Sequence, residues 1–421
     1  MFKIKNIKKS KLAAVAIGTA VKVITTVVCG ALLLTGTYGV VKHTVLPTST
    51  AKTKSMFAYG GGADTDEDVG GSGGSGGSVG DNPVYETETK VIPVGAKYTK
   101  ADGTVLEGNG TNKFPVAPAE SDAYEEGDYI YTCINSGTEW SVVTKNKTKS
   151  SYGKIMSEIA GEPVSDMYRT FYECSSLTSS PKIPNSVTNM DGTFSGCTSL
   201  STAPVIPDGV INMNSAFYRC ESLIVAPTIP DGVTDISYMF SGCTSLKTYA
   251  GNTNSDGNFS SYKLPSRITD MFQTFMYCSS LTIAPIIPDS VTDMYGTFDG
   301  CISLTTAPII PNGVTNMTNT FTGCTSLVIA PTIPNSVTDM TGTFNSCEFL
   351  TTVPTIPSGV MNMFGTFQEC PSLTGTITIN ANPDNYYKCF WGTQKSIILT
   401  GSSSTLTELA ATATNGNVTV K

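Results

Sequence analysis

The chain has 421 residues, of which 14% are charged, and its formal net charge is −8. Residues 1–58 hold nine lysines and no acidic residue, so the remainder carries 17 basic against 34 acidic groups. An acidic body argues against nucleic acid as a partner, because nucleic-acid recognition requires a basic footprint. The only histidine, His43, precedes the body, which excludes a histidine-dependent catalytic dyad or a histidine-rich metal site there.

The first 41 residues have the pattern of an export signal. A lysine cluster precedes an apolar run, and residues 23–41 contain no charge over 19 positions, about the length that crosses a bilayer. The basic flank predicts a cytoplasmic N-terminus and a membrane-spanning helix that anchors the protein at the cell surface. The alternative is a signal peptide cleaved after Ser49-Thr50-Ala51, which would secrete the chain.

Residues 42–81 are predicted to be a flexible linker. The stretch Gly60–Asp81 contains repeated Gly-Gly-Ser units and a cluster of acidic residues. Such a composition cannot bury a core and behaves as a random coil. An anchor, a linker and then folded domains is the order expected of a surface-displayed protein.

Residues 82–150 are predicted to form a small β-rich module. Its strand-like patches are Lys90–Pro93, Tyr129–Cys133 and Glu139–Thr144, separated by glycine-rich turns. Two interpretations exist for its aromatic residues: they line a carbohydrate-binding face, or they form the core of a small sheet, which we favour. These residues are Tyr124, Tyr129, Tyr131 and Trp140.

Residues 151–373 contain nine copies of a 23-residue repeat, each marked by one cysteine. Seven of the eight gaps between these cysteines are 23 residues and one is 35. Apolar residues recur in the same register, and a single unit cannot bury them alone, so stacked units must form one continuous core. The marker cysteines are Cys174, Cys197, Cys220, Cys243, Cys278, Cys301, Cys324, Cys347 and Cys370.

Each unit is predicted to add one short strand to a parallel sheet. In the second copy the β-prone stretch Leu200–Ile206 is followed by the turn Pro207-Asp208-Gly209. Pro204 stands inside the strand stretch, and prolines recur there in other copies. Since proline cannot donate to a ladder, we expect short strands rather than a long regular sheet.

The pattern Phe194-x-x-Cys197-x-x-Leu200, continued by Ile206-Pro207-x-x-Val210-x-x-Met213, resembles the bacterial BspA-like leucine-rich-repeat surface proteins of the 23-residue type. The resemblance covers about half of the chain. It implies a leucine-rich-repeat solenoid with short parallel strands and irregular or short helical returns. It also implies export and a role in adhesion.

The cysteine row has three possible roles. A metal site requires ligands that converge, whereas each coil supplies one cysteine and no close pair. Disulfides between neighbouring coils are disfavoured, because parallel side chains stay near the 4.8 Å strand repeat. We therefore predict a ladder of buried thiols, and we expect the Asp/Asn rows, such as Asn189 and Asp293, to cap turns rather than hold Ca²⁺.

The 35-residue gap adds 12 residues between Leu246 and Leu264, within residues 247–263. A polar insertion in a solenoid must loop out on one face, where it either binds a ligand or is merely tolerated. Its candidate ligand-binding residues are Tyr249, Asn252, Asn254, Asp256 and Tyr262.

Residues 374–421 are predicted to leave the repeat and cap its end, with Cys389, Phe390 and Trp391 sealing the core. We expect two strands there, Thr376–Ile379 and Ile397–Thr400, and a short helix at Thr405–Thr412. Taken together, the sequence predicts a non-enzymatic surface protein without cofactor or metal. It would contact a host or neighbouring-cell protein or glycan, and the alternative is a structural envelope protein.

Overall fold

The computed structural model describes residues 90–249 and 261–421. The predicted membrane anchor, the alternative cleavage site and the Gly/Ser-rich linker lie in residues 1–89, outside the described part. Among the described residues, no helix is both long enough and apolar enough to cross a bilayer.

A seven-stranded sheet occupies the N-terminal part of the described chain. Its strands are β1 (Lys97–Thr99), β2 (Val105–Glu107), β3 (Ala123–Glu126), β4 (Tyr129–Ile134), β5 (Glu139–Thr144), β6 (Glu158–Ile159) and β7 (Glu162–Asp166). Their spatial order is β2-β1-β3-β4-β5-β7-β6, and only the pair β5 and β7 is parallel. Strands β4 and β5 confirm two of the three predicted patches. The third, Lys90–Pro93, is wrong: it holds one bridge, from Val91 to Lys113, because Pro93 has no N–H to extend a ladder.

The aromatic residues of the module form its core. Trp140, Tyr98, Tyr124, Tyr129 and Tyr131 are at most 2% exposed. Their polar atoms bond inside the module, as where the indole N–H of Trp140 donates to the carbonyl of Ile159. Because these side chains are almost fully buried, the core interpretation is confirmed over the carbohydrate-binding face.

The sheet continues directly into the first repeat. The hydroxyl of Thr170 donates to the carbonyl of Val142 on β5 at 2.7 Å. The ring of Phe171 contacts that of Tyr152 with centroids 5.2 Å apart. The module thereby covers the N-terminal end of the repeat core, so that the first coil is not left open to water.

Ten coils stack behind the module, and each contributes one phenylalanine to a continuous core. Neighbouring rings are stacked with centroids between 5.2 and 5.9 Å apart. We number the coils 1 to 10 by these residues: Phe171, Phe194, Phe217, Phe240, Phe275, Phe298, Phe321, Phe344, Phe367 and Phe390.

The strand segments of the coils are short. Two-residue strands β8 (Val225–Ala226) and β9 (Thr248–Tyr249) pair in parallel, and several other described segments before residue 374 join through isolated bridges such as Thr202 to Val225. The predicted strand over the whole of Leu200–Ile206 is therefore wrong. The expectation of short strands is confirmed, because the recurrent proline removes a ladder donor from each segment.

The returns between the Met and Cys positions are regular although they contain no helix. In coil 2 the N–H of Gly192 donates to the carbonyl of Asn214, and that of Phe194 to Ala216, both at 2.8 Å. Two positions of each return have positive φ, as at Gly192 (φ 58°) and Gly196 (φ 77°). We call the outer surface of these returns the turn face.

The Asp/Asn row before the Met position caps these returns. The Oδ1 atom of Asp293 accepts from the N–H of Tyr295 at 2.8 Å, and that of Asn189 accepts from Asp191 at 3.1 Å. Between coils, the amide of Asn316 donates to Asp293 at 2.9 Å. The predicted capping role is confirmed, since these side chains satisfy backbone donors of their own turns.

The repeat extends one coil beyond its predicted end at residue 373. Phe390 stacks on Phe367, and Asn385 bridges Asn362, both 23 positions earlier. Cys389 and Phe390 are fully buried, but Trp391 is 43% exposed, so the expectation that Trp391 seals the core is wrong. The chain ends with β10 (Gly375–Thr378), β11 (Ile397–Thr400), helix α1 (Leu406–Ala410) and β12 (Val418–Val420), which confirms the two predicted strands and the helix.

Candidate binding surface

The insertion has a closed neck formed by two of its candidate residues. The rings of Tyr249 and Tyr262 lie 4.6 Å apart between centroids, and the hydroxyls of Tyr249 and Ser261 are 2.6 Å apart. The structure thus brings the two ends of the insertion together. Asn252, Asn254 and Asp256 belong to residues 250–260, outside the described part, so their role as ligand contacts stays a prediction.

Tyr262 supports the neck from inside. It is 3% exposed, and its hydroxyl donates to the carbonyl of Pro227 at 2.7 Å. Burial raises the pKa of Tyr262 well above its ordinary value. The expectation that Tyr262 contacts a ligand is therefore corrected: its ring and hydroxyl are used by the fold.

The cysteine row is buried and joins the coils. All nine marker cysteines are 0% exposed and unpaired. The thiol of Cys301 donates to the carbonyl of Phe275 in the preceding coil at 3.1 Å, and the same contact recurs along the row at 3.0–3.2 Å. Burial raises the pKa of the Cys370 thiol to about 12. A buried thiol of that kind is a poor nucleophile at neutral pH.

A shallow groove on the turn face crosses coils 1 to 4. Its volume is about 390 Å³. Small residues, tyrosines and charged side chains all line it. The lining residues are Arg169, Tyr172, Asp191, Gly192, Ser195, Asn214, Ser215, Tyr218 and Tyr238.

Arg169 lies against two aromatic rings at one side of this groove. Its guanidinium carbon is 5.0 Å from the ring centroid of Tyr168 and 5.1 Å from that of Tyr172, which is cation–π geometry. Gly192 in the next coil provides the space, because a Cβ there would stand 3.1 Å from the Arg169 Cγ. The absence of a side chain at Gly192 therefore leaves room for the Arg169 side chain in this position.

Asp191 supplies a half-buried carboxylate to the groove. Burial raises its pKa, and the nearby Arg169 lowers it by a smaller amount. Within residues 90–249 and 261–421, its carboxylate makes no hydrogen bond or ion pair. Such a group is able to accept hydrogen bonds from a ligand.

Tyr238 and Tyr218 form the other side of the groove. The ring of Tyr238 is supported by Phe272 across the insertion, with centroids 5.1 Å apart. The turn face therefore continues from coil 4 to coil 5. The insertion begins after strand β9 and does not interrupt this contact between the returns. Tyr218 is partly exposed, and among the described residues neither a ring nor a cation stacks on it.

The last coil repeats the arrangement of the first. Lys388 lies 5.5 Å from the ring centroid of Tyr387 and 5.4 Å from that of Trp391. These residues occupy the same coil positions as Arg169, Tyr168 and Tyr172. A basic residue beside two aromatic rings, fully or partly exposed, thus occurs in both the first and the last coil.

A larger cavity, of about 620 Å³, lies in the module beside β4. Its tyrosines are already used: the hydroxyl of Tyr129 donates to Gly153 and that of Tyr131 accepts from Met156. An ion pair between Lys90 and Glu158 lies at its rim, with Nζ and Oε1 2.7 Å apart. No group of three possible metal ligands converges anywhere in the described part of the chain.

Sequence reasoning did not find the turn-face groove. Its residues lie at different positions of four coils, and stacking alone brings them together. A usable signal was present: in the returns, Tyr172, Tyr218 and Tyr238 stand where other coils carry small residues such as Ser195 and Gly192.

The family model for BspA-type leucine-rich repeats matches residues 167–264 and 271–398, just over half of the chain. The chain belongs to the BspA-type leucine-rich-repeat family. The matched BspA-type region includes coil 10, which agrees with the continued phenylalanine stack. Residues 1–61 match a second family, DUF6133, which is described as a family of unknown function.

Solved structures of other leucine-rich-repeat proteins are similar to this BspA-type chain. One from T. pallidum is 26% identical, with 48% of this chain and 88% of that chain covered and a TM-score of 0.39. One from Bacteroides ovatus is 19% identical, with coverages of 70% and 76% and a TM-score of 0.43. A leucine-rich cell surface protein from Faecalibacterium prausnitzii is 21% identical, with coverages of 61% and 94% and a TM-score of 0.27. The search of curated proteins gave no match.

Proposed function

We propose that this protein is a non-enzymatic binding protein displayed on the cell surface, with the solenoid as its contact surface. The observation that carries the proposal is the set of exposed aromatic residues on the turn face. Tyr168 is 45% exposed, and Tyr172, Tyr218 and Tyr238 lie partly open around one groove. Stability gives no reason to expose several rings together, whereas ligand-binding surfaces are enriched in such residues.

The basic, apolar N-terminus and the Gly/Ser-rich linker support display outside the cell. The segment around residues 23–41 is proposed as a membrane anchor, and residues 42–81 as the spacer that holds the solenoid away from the membrane. Resemblance to the BspA-like proteins supports adhesion as the purpose. Antibody access to the C-terminus on unpermeabilised cells tests the display.

The insertion is proposed as a second contact region. Its two ends are held together by Tyr249 and Tyr262 on the stacked coils, and binding loops are commonly carried by such a scaffold. The test replaces residues 250–260 by a short Gly-Ser linker, which keeps Tyr249 and Tyr262 and therefore the neck. Binding of matrix proteins and glycans to the full-length chain is then compared with the unmodified chain. Loss of a specific interaction supports the insertion as a contact region. Unchanged binding of every ligand would show that the insertion is not a contact region.

The rival function is a structural envelope protein that only spaces or covers the surface. The long uniform core, built from the same residues through ten coils, is what such a protein would need. The rival predicts no saturable binding of any ligand, whereas the binding protein predicts at least one. A surface screen of the full-length chain therefore separates them.

A further inference from the structure

The groove across coils 1 to 4 presents polar atoms that the fold does not use. The carboxylate of Asp191 and the nitrogen donors of Arg169 make no hydrogen bond or ion pair with the residues described. The partly exposed Tyr218 lines the same groove, and no described ring or cation stacks on it. One groove therefore holds a half-buried carboxylate and a guanidinium whose N–H groups donate no hydrogen bond within the described residues, beside a partly exposed aromatic ring.

Acidic groups outnumber basic groups around the groove. The basic groups are Arg169 and Lys147, which both lie about 5 Å from the Tyr172 ring. The acidic groups are Asp191, Glu173, which interacts with the Tyr172 hydroxyl, and Asp166 and Asp235, which lie close enough to Asp191 to raise its pKa. This excess of negative charge repels a polyanion such as a sulfated glycan. The half-buried Asp191 carboxylate accepts hydrogen bonds, so the groove favours a ligand with hydroxyl donors and no negative charge.

The spacing of the tyrosines favours a ring-shaped ligand. Tyr172 and Tyr218 occupy the same position of coils 1 and 3, and two strand repeats of about 4.8 Å place them roughly 10 Å apart. Coil 2 carries Ser195 at that position, so the space between the two tyrosines is lined by a small residue. A slot of that width with polar groups at its edge suits a single sugar ring.

We infer that this groove binds a neutral oligosaccharide. A sugar ring stacks on Tyr218, its hydroxyls donate to the Asp191 carboxylate, and other hydroxyl oxygens accept from Arg169. This inference rests on the proposed binding function and specifies its ligand class. Tyr238, supported by Phe272, extends the aromatic surface toward a second sugar unit.

The test uses the full-length chain in a polyoxyethylene detergent, which carries no sugar headgroup, on an array of neutral, acidic and sulfated glycans. We expect binding to a set of neutral glycans. Affinity for the best of them is then measured for Tyr218→Ala and Asp191→Asn, each of which should weaken binding about tenfold or more through the loss of one stacking or hydrogen-bonding contact. Tyr218→Phe retains the ring and should bind nearly as well as the unmodified chain.

Tyr277→Ala is the matched control, because Tyr277 is exposed on the same face but does not line the groove. Its affinity should equal that of the unmodified chain, and circular dichroism confirms that each variant is folded. The inference is overturned if no neutral glycan binds, or if Tyr218→Ala and Asp191→Asn bind as well as Tyr277→Ala. If a protein ligand binds instead and the groove variants leave it unaffected, the binding function stands and the glycan inference fails.

Discussion

The thiol of Cys301 donates to the carbonyl oxygen of Phe275 across the boundary between two coils, with Sγ and O 3.1 Å apart. The same carbonyl accepts the N–H of Cys278 in its own coil at 3.1 Å. One acceptor thus closes a turn and joins it to the next coil. Because both donors come from cysteines in register, the cysteine row links the coils as well as filling space.

Removing one thiol should destabilise the solenoid. Cys301→Ala deletes a buried sulfur and an inter-coil hydrogen bond, and it should cost about 1–2 kcal/mol of unfolding free energy. The denaturation midpoint in urea measures this change. Thr305→Ala removes a comparable inter-coil hydrogen bond at an exposed site and should cost less than about 0.5 kcal/mol. Equal midpoints for the two variants would contradict the role of the cysteine row.

The buried thiols should make the protein sensitive to alkali. Burial raises the pKa of Cys370 to about 12 and that of Cys133 to about 11, whereas an unfolded thiol titrates near 8.5. Above pH ~8.5 the unfolded chain loses protons that the folded chain keeps, so stability falls as pH rises. Each such thiol contributes a slope of about 1.4 kcal/mol per pH unit between the two pKa values.

Urea midpoints measured from pH 7 to 9.5 check this dependence. The upper limit keeps the range below the ordinary pKa of tyrosine, about 10, so that thiols dominate the slope. We expect a nearly flat region near pH 7 and a steep fall above pH ~8.5. A flat profile to pH 9.5 would mean that the thiols ionise as readily in the folded state as in the unfolded one.

A methyl group at Gly192 should disturb both stability and the groove. Gly192 has a φ of 58°, and an added Cβ would meet the Arg169 side chain at 3.1 Å. Gly192→Ala should therefore cost about 1–2 kcal/mol of unfolding free energy and move Arg169. Gly209 is the control, because its added Cβ would stand 3.6 Å from the nearest atom and its φ is not in the left-handed region. If both variants melt at the same temperature, the left-handed return is not under steric control.

The neck of the insertion should depend on one hydroxyl. Tyr262→Phe removes the donor to the carbonyl of Pro227 and should cost about 1–2 kcal/mol, because a buried acceptor loses its partner. Tyr277→Phe changes an exposed tyrosine and should leave the urea midpoint unchanged. If Tyr262→Phe behaves like this control, the hydroxyl of Tyr262 does not hold the neck.

The core rows could be predicted because their residues recur every 23 positions and stack directly. Cys197, Phe194 and Leu200 are buried for the reason that the sequence pattern indicates: one coil cannot cover them alone. The short strands also followed from the sequence, since Pro204 and its equivalents lack the ladder donor.

Other features could not be read from the repeat. Positive φ recurs at Arg169 and Tyr238 as well as at glycines, so residue type did not reveal the left-handed positions. Coil 10 was missed because Thr393 stands where the other coils carry the marker cysteine. The groove joins residues at unequal separations, which only the stacked coils bring together.

Ligand binding by intact cells is the most direct test of the proposed binding function. Cells that produce the chain are compared with cells that lack it, against one panel of matrix proteins and neutral glycans, before and after proteolytic removal of surface protein. A surface-displayed binding protein should give saturable binding of at least one ligand, and this binding should require the chain and be lost after proteolysis. If antibody labels the solenoid on intact cells but no ligand binds saturably, the chain is a structural envelope protein and the proposed binding function is wrong.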